Sequence, residues 1–382
     1  MKIIALITAN RNSWHYIASD SIEALKESGH HALVVWILNQ ESRSILKGVK
    51  DFKPDFIFTV NNVGLSEEIL EEAKVPILSW ITTEPQVLKR LPPKEDFIHL
   101  VVGESYVDEM KREGYDQVFL LPLAANPKVF KRITLSDDDL ARYGCKISFA
   151  GGCDYDIWHR RHKEGIDQFF SEEVVERLLE RHSRNTSIPI MDDLIATLIE
   201  LGRIKEEDRE LLCHRLEVEI KEELIALHWA AMSKFRKDVI NSIRDFGIRI
   251  YGDEGWRDIK DSPGVEFYSF IEDRQELAKL YNATKINLNL PTSSYLNTST
   301  FNMASSGCFM LSSYVDDLFK YFDEGKDMAC FRDLDDLKGK IRYYLLHPEE
   351  RERIASNARE RVLTEHTFCQ RARRLVEIAG GL

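Results

Sequence analysis

Two places in the chain combine turn formers with hydrogen-bond donors in the way an anion site requires. In residues 281–331, YNATKINLNLPTSSYLNTSTFNMASSGCFMLSSYVDDLFKYFDEGKDMACF, a β-rich apolar run at 285–290 gives way to a polar loop at 291–297. Thr298, Ser299 and Thr300 then offer caps to a helix that starts near Phe301 and ends at Gly307, before 309–311 returns to strand. A strand that delivers a loop to a helix N-terminus presents unpaired amides and the positive end of the helix dipole, which favours a phosphate. The second place is Gly151 and Gly152, directly after the strand-like run KISFA at 146–150, where glycine lets backbone approach a ligand closely. Arg160, one helical stretch beyond that turn, is the first choice for a cation beside the phosphate, with Arg236 and Arg11 behind it. Each has a plain structural reading as well: hydroxyls cap helices, glycines turn chains, and arginines lie on surfaces.

Such residues need a scaffold, and the chain is long enough to supply two. Its 382 residues exceed what one hydrophobic core serves, and 43% hydrophobic with 30% charged residues is ordinary for a soluble globular protein. No run reaches the length of a membrane span, and the apolar residues 3–9 form a short strand that meets Asn10 and Arg11, unlike a signal peptide; a cytoplasmic protein is expected. Six cysteines are widely spaced without a C-x-x-C pair, which suggests neither a disulfide framework nor a zinc site. A formal charge of -12 repels polyanions and argues against nucleic-acid binding, while a small anion needs only a local positive site.

Within residues 1–132, strands are expected at 2–9, 31–38, 55–60, 76–80, 97–102 and 117–121, with amphipathic helices at 14–27 (Ser13 as its N-cap), 64–73 and 105–112. Alternation of this kind builds a doubly wound α/β domain. A second domain, 133–363, opens with the strand at 146–150. It is interrupted at about 155–244 by a helical insertion in which Leu211, Leu212, Leu216, Ile220, Leu224, Ile225, Leu227 and Met232 recur at helical spacing. Strands resume at 249–251 and 265–268 around the turn-rich YGDEGW, followed by helices at 272–282, 334–346 and 348–363 and a last one near the C-terminus.

The run KINLNL, the spacing Asn297-x3-Phe301-x5-Gly307, the string CFMLSSYVDDLFKYFDEGKDMACF and the tail KIRYYLLHPEERERIASNARERVLTEHTFCQRARRL resemble the nucleotide-sugar-binding half of GT-B glycosyltransferases, most like the spore-maturation (CgeB-like) type, over roughly 246–375. The resemblance implies a GT-B fold, an α/β arrangement of two Rossmann-like domains with the helical insertion in the second. It places a hinge at 121–130 and a C-terminal helix, 364–382, returning to the N-terminal domain. It further implies a UDP- or dTDP-sugar as donor, a hydroxyl on a glycan, protein or small molecule as acceptor, and no obligatory metal or other cofactor. For the base, it points to the backbone of Ser269, Phe270 and Ile271, with Tyr251, Gly252 and Trp256 lining the same pocket.

The chain departs from its relatives where their helix carries an arginine for the phosphate and a glutamate for the ribose; here stand Ser299 and Asn302, and the charge-assisted strength is lost. On the acceptor side, the carboxyl ends of the first sheet present Asn10, Arg11, Asn61 and Asn62, then Thr82 and Thr83. Glu84 falls before Pro85, where relatives place an acidic pair, and is the expected general base, with His15 as second candidate. The D-x-D pair Asp154 and Asp156 copies a metal-holding pattern of a different architecture, and His159 with His162 lacks the further ligands zinc needs, so no metal is expected. The insertion offers either a structural buttress, an acceptor surface or a homodimer interface. A GT-B protein that binds a nucleotide sugar without transferring it is the alternative. An NAD-dependent oxidoreductase is disfavoured, because the first strand ends in TANRNS and lacks the G-x-G-x-x-G phosphate turn.

Overall fold

The structure, a computed structural model, describes residues 1–38, 42–83, 88, 91–153, 160, 162–185, 188–291 and 295–381. The chain forms two compact units. The first takes Met1–Lys128, Leu296–Asn302 and Glu360–Leu382, and the second takes Val129–Tyr295 and Met303–Arg359.

In the first unit, β1 (Lys2–Thr8), β2 (His31–Ile37), β3 (Phe56–Val60), β4 (Ile77–Ile81), β5 (Phe97–Val101) and β6 (Val118–Leu120) pair in parallel in the order β2-β1-β3-β4-β5-β6. The strands β3, β4 and β5 are buried along their whole length, which is why they read as near-continuous apolar runs, each broken by one polar residue (Thr59, Ser79 and His99), rather than as alternating ones. The helix Ser13–Glu27 is capped by Asn12, whose side chain accepts from the His15 amide, and not by Ser13. Ser13 already lies within the helix, whereas Asn12 holds the extended backbone that a cap needs. The helix Ser42–Phe52 was not expected from the sequence. The helix Phe368–Gly380 packs along Ser13–Glu27 and buries Phe368, Ala372, Leu375 and Ile378.

The second unit repeats the plan with β7 (Cys145–Ala150), β8 (Ile248–Gly252), β9 (Val265–Ser269), β10 (Thr284–Asn289), β11 (Met310–Ser313) and β12 (Ala329–Phe331), all parallel, in the order β12-β11-β10-β7-β8-β9. The doubly wound α/β architecture expected from the alternation is thus present twice. Pleat alternation divides this sheet into an apolar and a polar face. Ile147, Phe149, Ile286, Leu288, Leu311 and Phe331 meet Val239, Ile240 and Ile243 on the first. On the other, Ser148 Oγ donates to Asn287 Oδ1 at 3.2 Å, and Asn289 Nδ2 donates to Ser312 Oγ at 3.0 Å.

The helical insertion consists of Lys163–Phe169, Glu172–His182, Ile190–Glu200, Arg209–Glu219 and Lys221–Ile243. It has its own core of Ile166, Leu178, Leu194, Ile195, Leu216, Leu224 and Leu227, among others. Leu211, expected on its apolar stripe, is instead 77% exposed.

Candidate functional site

An open parallel sheet binds ligands beyond the carboxyl ends of its strands, where the strand order reverses. In the second unit that reversal falls between β10 and β7. Gly151 and Gly152 leave β7 there. Gly151 N–H donates to Tyr251 O at 3.0 Å, and Gly151 O accepts from Trp256 Nε1 at 3.0 Å. Arg236, on the helix Lys221–Ile243, donates to Gly152 O at 2.5 Å and to Leu290 O at 2.8 Å, so one guanidinium spans the reversal from the end of β7 to the end of β10. It is only 5% exposed, and it lies over the Phe149 ring at 5.3 Å.

The turn admits no side chain. A Cβ on Gly152 would stand 2.3 Å from Asp253 Oδ2, and one on Gly252 would stand 2.6 Å from Gly151 O. Asp253 fixes the turn after β8, accepting from Cys153 N at 2.9 Å and Gly255 N at 3.0 Å. Ser233 Oγ adds a bond to Cys153 O at 2.8 Å. Phe270, half exposed, stands against Gly152. This end of the sheet therefore offers a rigid glycine backbone, a buried cation and an aromatic face, a set suited to an anion carrying a planar group.

The remaining expected donor residues are placed as follows. Ser269, the last residue of the edge strand β9, and Phe270 after it are exposed, while Ile271 packs with Tyr143, Tyr251 and Leu280. Tyr251 is buried under Tyr268, rings stacked at 5.0 Å, and burial above all pushes its phenol up to about 12. Trp256 is fully buried and gives its indole N–H to Gly151 O, so it holds the turn instead of lining a pocket. Arg160 is exposed, and its charge adds to the larger effect of the Lys237 hydrogen bond in lowering the Asp258 carboxyl.

The helix Thr298–Ser306, whose first turn belongs to the first unit, is capped by Asn297: Thr300 N and Thr300 Oγ1 each donate to Asn297 Oδ1 at 3.0 Å. The expected caps Thr298, Ser299 and Thr300 are instead its first turn, because the side-chain oxygen of Asn297 already accepts the Thr300 N–H. Thr300 is fully buried, and Thr298, Ser299 and Asn302 are half-buried. At the reversal of the first sheet, between β1 and β3, Asn10 and Arg11 are exposed. Asn61 is buried in the left-handed region at φ 53, and its amide is exchanged with Thr82, donating to Oγ1 at 2.9 Å and accepting from N at 2.7 Å. That amide ties β3 to β4.

His15 has a defined tautomer. Its Nδ1 lies 2.8 Å from Thr8 O, and a carbonyl only accepts, so in the neutral ring Nδ1 carries the hydrogen and Nε2 the lone pair. Trp36, 56% exposed, stacks on the ring at 5.5 Å. Sequence reasoning missed Trp36 and Asp253. The alternation of β2 and the Asp that follows the β8 strand in YGDEGW were the available signals. Glu84, Pro85, Asp154, Asp156 and His159 lie outside the described residues. Among the described residues no three His, Cys, Asp or Glu side chains gather as a metal site, and no helix is long and apolar enough to cross a membrane.

Residues 233–377 match the protein family described as Glycosyl transferase-like. No curated protein matches the chain. Among solved structures, a glycosyltransferase from Rickettsia africae ESF-5 is similar at a TM-score of 0.57 and 11% identity, over 99% of this chain and 97% of that one. The sucrose-phosphate synthase of Thermosynechococcus elongatus is similar at 0.54 and 13%, over 99% and 98%. Alr3699/HepE of Anabaena, in complex with UDP-glucose, is similar at 0.60 and 9%, over 100% of both chains. At these identities the likeness is one of fold, and the fold is GT-B.

Proposed function

We propose that the protein is a glycosyltransferase of the CgeB-like type, moving a sugar from a UDP- or dTDP-sugar to a hydroxyl on a glycan, protein or small molecule without a metal or other cofactor. The observation that carries this reading is the buried Arg236 guanidinium across the strand reversal beside the Gly151–Gly152 turn, in the unit that holds most of the matched family segment. In such a transfer negative charge grows on the departing diphosphate, and a cation held in a low-dielectric setting with fixed amides stabilises that charge without reorganising. HepE, similar in fold, binds UDP-glucose, which supports a uridine donor.

For the acceptor proton we propose His15, whose Nε2 lone pair is available in the tautomer that Thr8 O imposes, with Glu84 as the other candidate. All six cysteines are free, which fits the reducing cytoplasm where we place the protein. A second reading, a GT-B protein that binds a nucleotide sugar without turnover, is favoured by the neutral Ser299 and Asn302 at the start of the helix Thr298–Ser306.

Calorimetric titration with UDP, dTDP and their glucose conjugates, followed by an assay for released nucleoside diphosphate, separates the readings. Binding with turnover, enhanced by a suitable acceptor, is the expected result. Binding with no turnover establishes the second reading, and binding of none of the four overturns both.

A further inference from the structure

β11 ends at Ser313, whose residue is 5% exposed and whose hydroxyl has no hydrogen-bond partner among the described residues. Its neighbour Ser312 is satisfied on the polar face, accepting from Asn289 and donating to Ser313 O at 3.0 Å. Alternation sends Ser313 to the opposite face, with Leu311 on its own strand and Phe331 opposite in register. That is the apolar face on which the helix Lys221–Ile243 packs, and the face where Arg236 lies over Phe149.

The register Asn289↔Ser312 sets Leu290 beside Ser313 on the adjacent strand line, and Leu290 O is the carbonyl that Arg236 holds at 2.8 Å. Neighbouring strands are about 4.8 Å apart, so the hydroxyl and the guanidinium occupy the same edge of the same face, one strand apart. An unpaired buried hydroxyl costs about 1–3 kcal/mol, and an alanine would fit the apolar face without that cost. A serine there is explained if a ligand supplies the missing partner. Beside a cation, the partner is an anionic oxygen that accepts the hydroxyl hydrogen.

We propose that Ser313 Oγ is a donor-binding group, giving its hydrogen to an oxygen of the nucleotide sugar's diphosphate; the assignment rests on the nucleotide-sugar reading above. The test compares wild type with Ser313→Ala by thermal melting and by calorimetric titration with UDP and with UDP-glucose. The expected result is an equal or higher Tm for Ser313→Ala without ligand, together with affinity for both ligands weakened about tenfold. Unchanged affinity for UDP in the variant overturns the assignment alone. So does a loss confined to UDP-glucose, which would move the contact to the sugar, and so does a lowered Tm at unchanged affinity, which would make the hydroxyl structural. If wild type binds neither ligand while its fold and Tm are intact, the nucleotide-sugar reading falls and takes this inference with it.

Discussion

At the scale of single residues, the buried Arg236 donates to two carbonyls, Gly152 O and Leu290 O, on either side of the strand reversal. Arg236→Met keeps the length of the side chain over Phe149 but removes both bonds; we expect a loss of about 2–4 kcal/mol in urea unfolding, accompanied by loss of nucleotide affinity. Full stability in that variant would remove Arg236 from its bridging role. His99 makes a different prediction. It is 2% exposed in β5 between Phe97 and Tyr115, its Nδ1 has no partner among the described residues, and burial lowers its pKa from 6.5 to about 4. The unfolded chain binds a proton below pH 6.5 that the folded one refuses until about 4, so stability falls as pH drops through that window. His99→Phe should flatten the decline between pH 6.5 and 4 in denaturant midpoints, and an unchanged slope would contradict the linkage. The tight turn at Gly151 and Gly152 was legible in the sequence because a glycine pair directly after a strand marks a place where backbone packs too closely for a Cβ. Asp253 was not, because a carboxylate that accepts amides from a residue 100 positions earlier leaves no local pattern.

At the scale of elements, most strands were legible to within about a residue because each is a short β-rich run, mostly apolar and bounded by turn formers, even where a polar residue such as Thr59, Ser79 or His99 interrupts it. The helix Ser42–Phe52 was hidden by its own composition: Gly48 stands in its interior, Ile45 is its one fully buried side chain, and Leu46, Val49 and Phe52 are only partly buried between charged residues. The insertion was legible as helices, but not for what fixes them. His182 closes the helix Glu172–His182 with its ring fully buried. Its Nδ1 lies 2.8 Å from Asp193 Oδ2 in the first turn of Ile190–Glu200, and its Nε2 lies 2.9 Å from His228 Nδ1 on Lys221–Ile243. One polar chain thus joins three helices inside an apolar cluster, and residues that meet only in three dimensions give no periodic signal. Removing one partner of a buried hydrogen bond strands the other without a partner in an apolar setting. Asp193→Ala should therefore cost about 1–3 kcal/mol, read as lost amide-exchange protection across the three helices. The double variant Asp193→Ala with His182→Leu should recover part of that protection, and additive losses would show that the two side chains act separately.

At the scale of the whole molecule, the first unit is completed by residues from the far end of the chain. Backbone hydrogen bonds link Ala125 to His366 and Phe368, and Arg371 donates to Pro122 O at 2.6 Å and to Leu123 O at 2.9 Å. Beyond that clasp, Phe368, Ala372, Leu375 and Ile378 are buried, with the helix packed along Ser13–Glu27. Burying a large apolar side chain contributes about 1.5–3 kcal/mol, so Phe368, Leu375 and Ile378 alone supply about 4–9 kcal/mol. Whole domains are stable by only about 5–15 kcal/mol. Ending the chain at Glu365 removes that contribution and uncovers the facing side of Ser13–Glu27. Calorimetry of the truncated protein should therefore show the first unit's transition lost, while the second, whose core of Ile147, Phe149, Ile286 and Leu288 has no residue beyond Arg359, still melts cooperatively. Adding the peptide 366–382 in trans should restore the lost transition in proportion to its concentration. A truncated chain that keeps both transitions would mean that the N-terminal sheet carries its own stability and that the C-terminal helix only rests on it.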